Sequence, residues 1–175
     1  LYLGNHKPHK NLRGLIRIFG RVAPQLPHLL VIGGPRAETD APLHERIRSA
    51  GMENRVRWID QLPRADLVPL LQGADLFLYP SLYEGFGFPP LEALACGVPV
   101  ISSNAASLPE ILGGAAVLLP PADTDRWAQA ILRILDDDEE RNRRRDAGPD
   151  RARRMSWTTT AGQTLEVYRR AIAER

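Results

Sequence analysis

Short apolar runs alternate with amphipathic segments along this chain, and that alternation restricts the possible folds more than any other feature. The runs are bounded by Gly, Pro or Asp, as is typical of buried strands. Strands separated by helices must pair in parallel through right-handed crossovers. The pattern therefore predicts an α/β fold with a doubly wound, Rossmann-like parallel sheet. Strands are expected at the start of the chain and over residues 28–33, 56–58, 75–80, 98–102 and 115–119.

One segment shows the helical pattern most clearly, with Leu12, Leu15, Ile16, Phe19 and Val22 on a single face and Pro24 at its end. Further helices are predicted around 43–50, 66–71 and 91–96, and the chain beyond residue 123 has only helical patterns. Doubly wound sheets bind ligands beyond the carboxyl ends of their strands. A binding site is thus expected in the loops after Leu3, Ile32, Tyr79 and Ile101.

Composition excludes several classes of protein. A chain of 175 residues, 43% hydrophobic and 25% charged, fits one globular domain, and its net charge of +2 gives little support to nucleic-acid binding. No apolar run approaches the ~18 residues that a membrane span needs. A single cysteine, Cys96, forbids an intrachain disulfide and predicts a buried apolar residue in a cytoplasmic protein. Because the chain opens on a strand at Leu1 without Met, we expect an excised domain.

The string from Glu84 to Glu92 (EGFGFPPLE) is the strongest chemical signal. It follows a predicted strand and leads into a predicted helix. Gly85 and Gly87 free the backbone for a turn, and Pro90 suits a first helical turn because its missing N–H would have no partner there. Such a helix start presents N–H donors and a partial positive charge to a phosphate group.

Two carboxylates flank this loop. Glu92, predicted in the first helical turn, can accept two hydrogen bonds from a vicinal diol such as ribose, and Glu84 can bind a second polyol in the same way. Together they predict a site for a nucleoside diphosphate with a sugar at each end. The structural alternative is a glycine turn whose glutamate only stabilises the helix dipole.

A second loop, residues 4–11, should face the same crevice. All basic residues except Lys7 and Lys10 are arginine, so a compact ammonium at Lys10 fits a diphosphate, and Asn11 fits a helix cap. The structural alternative for Lys10 is a solvated surface residue. His6 and His9 lack partners at metal-ligand spacing, so we expect them in a solvated loop without metal.

Two acidic strings and one charged stretch have simpler explanations than metal binding. The D-x-D strings 123–125 and 136–138 are interpreted as a helix cap and the late part of a helix. Residues 136–154 balance seven acids against seven arginines, which favours a solvated, ion-paired helix face. Contact with an anionic membrane surface is the alternative interpretation of that stretch.

The E-x7-E string, followed by residues 93–101 (ALACGVPVI), resembles the C-terminal, donor-binding half of retaining glycosyltransferases of family 4, which have the GT-B fold. The resemblance covers nearly the whole chain in family order. It includes residues 4–11, 31–35, 74–81, 108–110 and the closing segment 156–168. It implies that residues 1–175 form a nucleotide-sugar donor-binding domain, with 156–175 as a closing helix and an N-terminal acceptor domain absent from the chain.

The resemblance also implies roles for individual residues. In this family the first glutamate, here Glu84, binds hexose hydroxyls as the catalytic-site carboxylate, and the second, here Glu92, binds the nucleotide ribose. The remaining donor-binding positions carry over as Gly4, Asn5, Lys10, Gly85, Phe86 and Gly87 around the diphosphate and Leu62 in the base-contacting loop 60–62. Asn5 replaces the family's usual arginine, so one cation of the phosphate clamp is missing.

The predicted function is transfer of a hexose, mannose-like by resemblance to lipopolysaccharide and capsule enzymes, from a GDP- or UDP-linked donor to a glycan or lipid-linked acceptor. No metal cofactor is expected, since Lys10 and backbone N–H groups would neutralise the leaving group. We expect the isolated domain to be inactive and cytoplasmic, with peripheral membrane contact as an alternative. Other functions left open are a nucleotide-binding module without turnover and a GT-B-like sugar-nucleotide epimerase or phosphorylase.

Overall fold

Six short strands form two parallel three-stranded sheets within residues 1–35 and 41–174, the parts of the chain that the computed structural model describes. The strands are β1 (Tyr2–Leu3), β2 (Leu30–Gly33), β3 (Val56–Ile59), β4 (Phe77–Tyr79), β5 (Val100–Ser103) and β6 (Val117–Leu119). The pairings run β1-β2-β3 and β4-β5-β6, all parallel. The predicted α/β fold with parallel strands is confirmed, and the observed strands are shorter than the apolar runs that predicted them, except β3, which is one residue longer.

The two sheets meet where β1 lies beside β4. The backbone N–H of Leu78 donates to the carbonyl oxygen of Leu1 at 2.9 Å, which gives the overall order β3-β2-β1-β4-β5-β6. In this order the chain winds outward in one direction from β1 and in the other direction from β4. The loops after these two strands diverge at such a switch point and leave a crevice for a ligand.

Eight α-helices connect or follow the strands in the described ranges. They are α1 (Leu12–Val22), α2 (Ala41–Ser49), α3 (Arg64–Gln72), α4 (Phe88–Ala95), α5 (Leu108–Leu112), α6 (Thr124–Asp136), α7 (Asp138–Arg153) and α8 (Trp157–Ala173). All five apolar residues that predicted the first helix are buried in α1, and a 3₁₀ turn that includes Pro24 follows it. The sequence pattern missed α5, because five residues are too few to show a helical period.

Apolar side chains from the sheets and the covering helices form one continuous core. Its largest fully buried members are Trp127, Tyr2, Tyr79 and Phe77, and each such side chain contributes roughly 1.5 to 3 kcal/mol of burial free energy. The Trp127 indole N–H donates to the carbonyl oxygen of Pro120 at 3.0 Å, so this polar atom is satisfied inside the core. Cys96 lies half-buried at the end of α4 rather than fully buried as predicted.

The acidic strings lie at helix starts. Asp123 caps α6 as predicted, and its side chain accepts from the N–H of Arg126. The prediction that string 136–138 lies late in one helix was wrong, because α6 ends at Asp136 and Asp137 caps α7 by accepting from the N–H of Glu140. The predicted ion pairs are present along α7, where Glu140 binds Arg143 and Arg144. Among the described helices, none has the length and apolar character to cross a membrane.

Candidate functional site

The loops after β1 and β4 are tied directly to each other. Asn11 has left-handed backbone angles (φ 57°), and its side-chain oxygen caps α1 by accepting from the N–H of Gly14 at 3.2 Å. Its amide nitrogen donates to the carbonyl oxygen of Pro80 at 3.0 Å, and the N–H of Leu82 donates to the carbonyl oxygen of His9 at 2.7 Å. The predicted helix cap is therefore observed, and the same side chain also connects the two loops that border the crevice.

Lys10 and Glu84 form an ion pair at this junction. The Lys10 Nζ lies 2.7 Å from Glu84 Oε1, and both side chains are only 10% exposed. Nζ also donates to the Tyr79 hydroxyl at 2.9 Å, and Ser81 Oγ donates to the same Oε1 at 2.6 Å. Sequence reasoning expected both charges at the crevice but did not foresee that they contact each other. The solvated-surface alternative for Lys10 is wrong, because the side chain is buried.

The partners of Glu84 keep its carboxyl group ionised. Burial favours the neutral acid, but hydrogen bonds from Lys10, Ser81 and Tyr79, together with the Lys10 charge, outweigh burial and lower the pKa of Glu84. Burial and the neighbouring carboxylate raise the pKa of Tyr79, so its hydroxyl stays neutral. The cluster therefore consists of one cation, one anion and neutral hydroxyls.

Ser107 orients the backbone of the glycine loop. Its hydroxyl donates to the carbonyl oxygens of Glu84 at 2.9 Å and Phe86 at 3.2 Å. In a trans peptide the N–H points away from the C=O, so the N–H groups of Gly85 and Gly87 face away from Ser107. Within the described residues, no protein acceptor binds the N–H groups of residues 85–88. This loop thus presents two free donors, the N–H groups of Gly85 and Gly87, on the side away from Ser107, as an anion site requires.

Helix α4 begins at Phe88, with Gly87 as its cap. Pro89 and Pro90 occupy the next two positions and have no N–H, so the donors for an anion come from the loop and Phe88 rather than from deeper in the helix. The prediction that Glu92 lies in the first turn was wrong, because it is the fifth helical residue. Its side chain is exposed, yet nearby protein atoms partly desolvate the carboxyl group and raise its pKa.

Position 87 requires glycine for two reasons, its backbone conformation and a close neighbouring side chain. Its φ is 101°, and an added Cβ would lie 2.6 Å from Leu108 Cδ2. We expect Gly87→Ala to lower the free energy of unfolding by about 1 to 3 kcal/mol through backbone strain and overpacking. Gly85→Ala is the matched control, since a Cβ there meets nothing within 4 Å. Equal thermal shifts for the two variants in a melting experiment would contradict this account.

The other predicted residues lie around the same edge of the sheet. Gly4 directly follows β1, and Gly34 approaches it so closely that a Cβ on Gly34 would lie 1.9 Å from the Gly4 carbonyl oxygen. Asn5 is exposed, and its side-chain oxygen accepts from the N–H of Lys7 at 3.3 Å. Leu62 packs partly against the core in the loop after β3. The predicted loop after Ile32 continues into residues 36–40, which lie outside the described residues.

One histidine of the first loop, His6, differs from the prediction. His6 is buried rather than solvated, and its ring packs edge-on against Trp58 with centroids 5.4 Å apart. The expectation for His6 was wrong because the loop folds back onto β3, which sequence spacing does not show. In the part of the chain that the structure describes, no group of three or more His, Cys, Asp or Glu residues could hold a metal ion.

Among the cavities of the described residues, two lie at opposite ends of the strands. One of about 460 Å³ borders the first loop, with His6, Lys7, Asn11 and Arg13 in its wall. The other, of about 300 Å³, is lined mostly by apolar side chains near the strand starts, including Leu30 and Leu76. Only the first lies at the edge where doubly wound sheets bind ligands.

Sequence reasoning missed the hydroxyl groups that support the site. Besides Tyr79 and Ser107, it missed Ser81 and Ser103, although the Ser103 hydroxyl donates to the carbonyl oxygen of Ser81. The available signal was position, since these serines end or follow neighbouring parallel strands. Carboxyl ends of such strands meet at one edge of the sheet, so polar residues there are candidates for the same site.

A doubly wound sheet with a buried cation, a carboxylate and a free N–H loop at its switch point defines an α/β domain with a candidate anion site. Residues 1–151 match the family model described as glycosyl transferases group 1, and the chain belongs to that family. The fold matches the C-terminal domains of GT-B glycosyltransferases.

Two curated relatives are similar along nearly the whole chain. An O-antigen chain mannosyltransferase B from Escherichia coli is 37% identical over 97% of this chain and 45% of its own length. A D-inositol 3-phosphate glycosyltransferase from Corynebacterium glutamicum is 32% identical over 98% of this chain and 43% of its own length. The chain thus spans less than half the length of these relatives.

Two solved structures illustrate the structural similarity. Anabaena HepE in complex with UDP-glucose has a TM-score of 0.82 and 26% identity, over 95% of this chain and 48% of HepE. A C-terminal domain of a group 1 glycosyl transferase from Francisella tularensis has a TM-score of 0.76 and 22% identity, over 86% of this chain and 82% of that domain. The second comparison supports the fold alone.

Proposed function

We propose that this chain is the donor-binding domain of a retaining, family 4 hexosyltransferase that uses a nucleoside diphosphate sugar. The observation that carries the proposal is the buried Lys10–Glu84 pair beside the free N–H groups of residues 85–88. A cation and backbone donors suit a diphosphate, and a carboxylate next to them suits the hydroxyl groups of a sugar.

The ion pair leaves capacity for both parts of the donor. An ammonium has three N–H donors, and within the described residues Tyr79 and Glu84 accept two of them, so the third can bind a phosphate oxygen. Lys10 and Ser81 both donate to Glu84 Oε1, and the lone pairs of Oε2 can accept a hydroxyl proton. Lys10 can therefore contact the diphosphate while Glu84 contacts the hexose.

The remaining contacts to the sugar nucleotide are inferred from the positions of the residues. Glu92 lies on α4 just beyond the anion loop, with an exposed carboxyl group that can accept from the ribose diol. Leu62, in the loop after β3, is assigned to the base. Gly4 lets the backbone approach the phosphates, and Asn5 supplies a neutral hydrogen bond where a second cation is missing.

The relatives support a mannose-like hexose, since one of them is an O-antigen chain mannosyltransferase. A glycan or lipid-linked acceptor would bind outside this chain. The structural neighbour HepE was solved in complex with UDP-glucose. UDP is thus one candidate, and GDP, expected from the sequence, is the other. One titration with each nucleotide decides the base. Because relatives are more than twice as long, we further propose that this chain binds donor without transferring sugar by itself.

We expect nucleoside diphosphate to bind without a divalent metal, because the proposed phosphate ligands are an ammonium and N–H groups, which cannot coordinate a cation. Calorimetric titration of GDP and UDP should give the same Kd in EDTA and in Mg²⁺ for the base that binds. Loss of binding in EDTA would overturn the metal-free proposal. If neither GDP nor UDP binds, in EDTA or in Mg²⁺, the proposed function is wrong.

A further inference from the structure

We propose that Tyr79 is a positioning residue that holds the Lys10 ammonium against the crevice, so that Lys10 distinguishes phosphate-bearing ligands from uncharged ones. This inference rests on the proposed function. It concerns a side chain that neither the sequence motif nor the family resemblance assigned to the site.

Tyr79 has little freedom to move. It ends β4, its side chain is 0% exposed, and its ring stacks against two other aromatic rings. The ring centroid lies 5.9 Å from that of Tyr2, at an interplanar angle of 19°, and 6.1 Å from that of Phe77, at 26°. The core thereby fixes the hydroxyl oxygen at a defined point next to the crevice, 2.9 Å from Lys10 Nζ.

Lys10 needs such a fixed acceptor. Lysine has a flexible four-carbon stem, and ordering it costs side-chain entropy. Its other partner, Glu84, is the residue assigned to the sugar, so that contact is shared with the ligand. Tyr79 is then the contact that stays the same with and without a donor, and it preorganises the ammonium for phosphate.

The chemistry of a phenol suits this role better than a second carboxylate would. A second carboxylate beside Lys10 would make the cluster net negative, and the cluster would then repel the diphosphate. A neutral hydroxyl accepts one N–H from Lys10 without cancelling its charge, and it can donate its own proton to Glu84. Tyr79 therefore orients both charged residues and leaves the net charge of the pair unchanged.

Tyr79→Phe tests the inference, because it removes the hydroxyl and keeps the stacked ring. We expect the affinity for nucleoside diphosphate to fall about three- to tenfold, as for one lost hydrogen bond, with nucleoside affinity unchanged. Ser102→Ala is the matched control, since it removes a buried hydroxyl that donates to the backbone carbonyl oxygen of Tyr79 at 3.3 Å rather than to a charged side chain. Its ratio of nucleoside diphosphate to nucleoside affinity should stay within twofold of the original.

A double-mutant cycle with Lys10→Met separates positioning from general support of the fold. If Tyr79 acts through Lys10, adding Tyr79→Phe to Lys10→Met should not weaken nucleoside diphosphate binding further. The same loss in both backgrounds, or equal losses for nucleoside and nucleoside diphosphate, would overturn the inference. Absence of binding by the unaltered protein would instead overturn the proposed function, so the two failures are distinguishable.

Discussion

Replacing Lys10 with Met is expected to weaken nucleoside diphosphate binding by about 1.5 to 3 kcal/mol or more, with nucleoside binding unchanged. The lost charge-assisted hydrogen bond accounts for the lower part of this range. The structure adds a second cause, because Glu84 would then remain as an unpaired carboxylate at the anion site. Calorimetry with nucleoside and nucleoside diphosphate measures both effects, and equal losses would show that Lys10 does not contact phosphate.

The same variant should be less stable at neutral pH by about 3 kcal/mol, because it leaves a largely buried carboxylate without its cation. In the original protein the pKa of Glu84 is below its ordinary value of 4.5, so its contribution to stability is present above that pH and is lost in acid. In Lys10→Met, acid protonates the unpaired group and relieves the penalty. The stability difference should therefore shrink as the pH falls from 7 towards 4.

The double variant Lys10→Met/Glu84→Gln is the control for this interpretation. It removes both charges and keeps similar side-chain volumes, so most of the lost stability should return while nucleoside diphosphate binding stays weak. Denaturant unfolding at pH 7 and pH 4 measures the comparison. A stability difference that does not change with pH, or that persists in the double variant, would contradict the unpaired-carboxylate explanation.

Substitutions at Glu84 and Glu92 should weaken contacts to different parts of the sugar nucleotide. Glu92→Gln is expected to weaken nucleoside diphosphate and nucleotide sugar alike, by about 1.5 to 3 kcal/mol, because both ligands contain the ribose. Glu84→Gln should remove the extra affinity that the sugar provides. It should also leave nucleoside diphosphate binding unchanged or stronger, because a carboxylate no longer competes for Lys10.

Four dissociation constants decide this division of roles, one for each variant with each ligand. In the full-length enzyme, Glu84→Gln should also reduce turnover more than Glu92→Gln does. If Glu84→Gln weakens nucleoside diphosphate as much as Glu92→Gln does, Glu84 is a structural support for the glycine loop and the assignment to the sugar is wrong. Thermal unfolding of both variants controls for loss of fold.

The alternating pattern of the sequence was sufficient to determine the class of fold. Parallel strands need helical crossovers, so apolar runs separated by amphipathic segments permit few other architectures. The same reasoning predicted a site in four loops at the carboxyl ends of strands, and the structure then showed that the loops after β1 and β4 lie at the switch point. Local signals also predicted local contacts, as in the Asn11 cap, whose donor, the N–H of Gly14, lies three residues away.

Tertiary structure alone decided which side chains meet. Lys10 and Glu84 are 74 positions apart, and Lys10 and Tyr79 are 69 apart, so their contacts depend on how β1 and β4 lie side by side. His6 packs against Trp58, and the Ser107 hydroxyl hydrogen-bonds to the glycine loop. Both contacts also join residues that are far apart in the sequence. A sequence specifies residue types and local periods, whereas ion pairing and burial depend on distances of a few ångströms that only the packed chain sets.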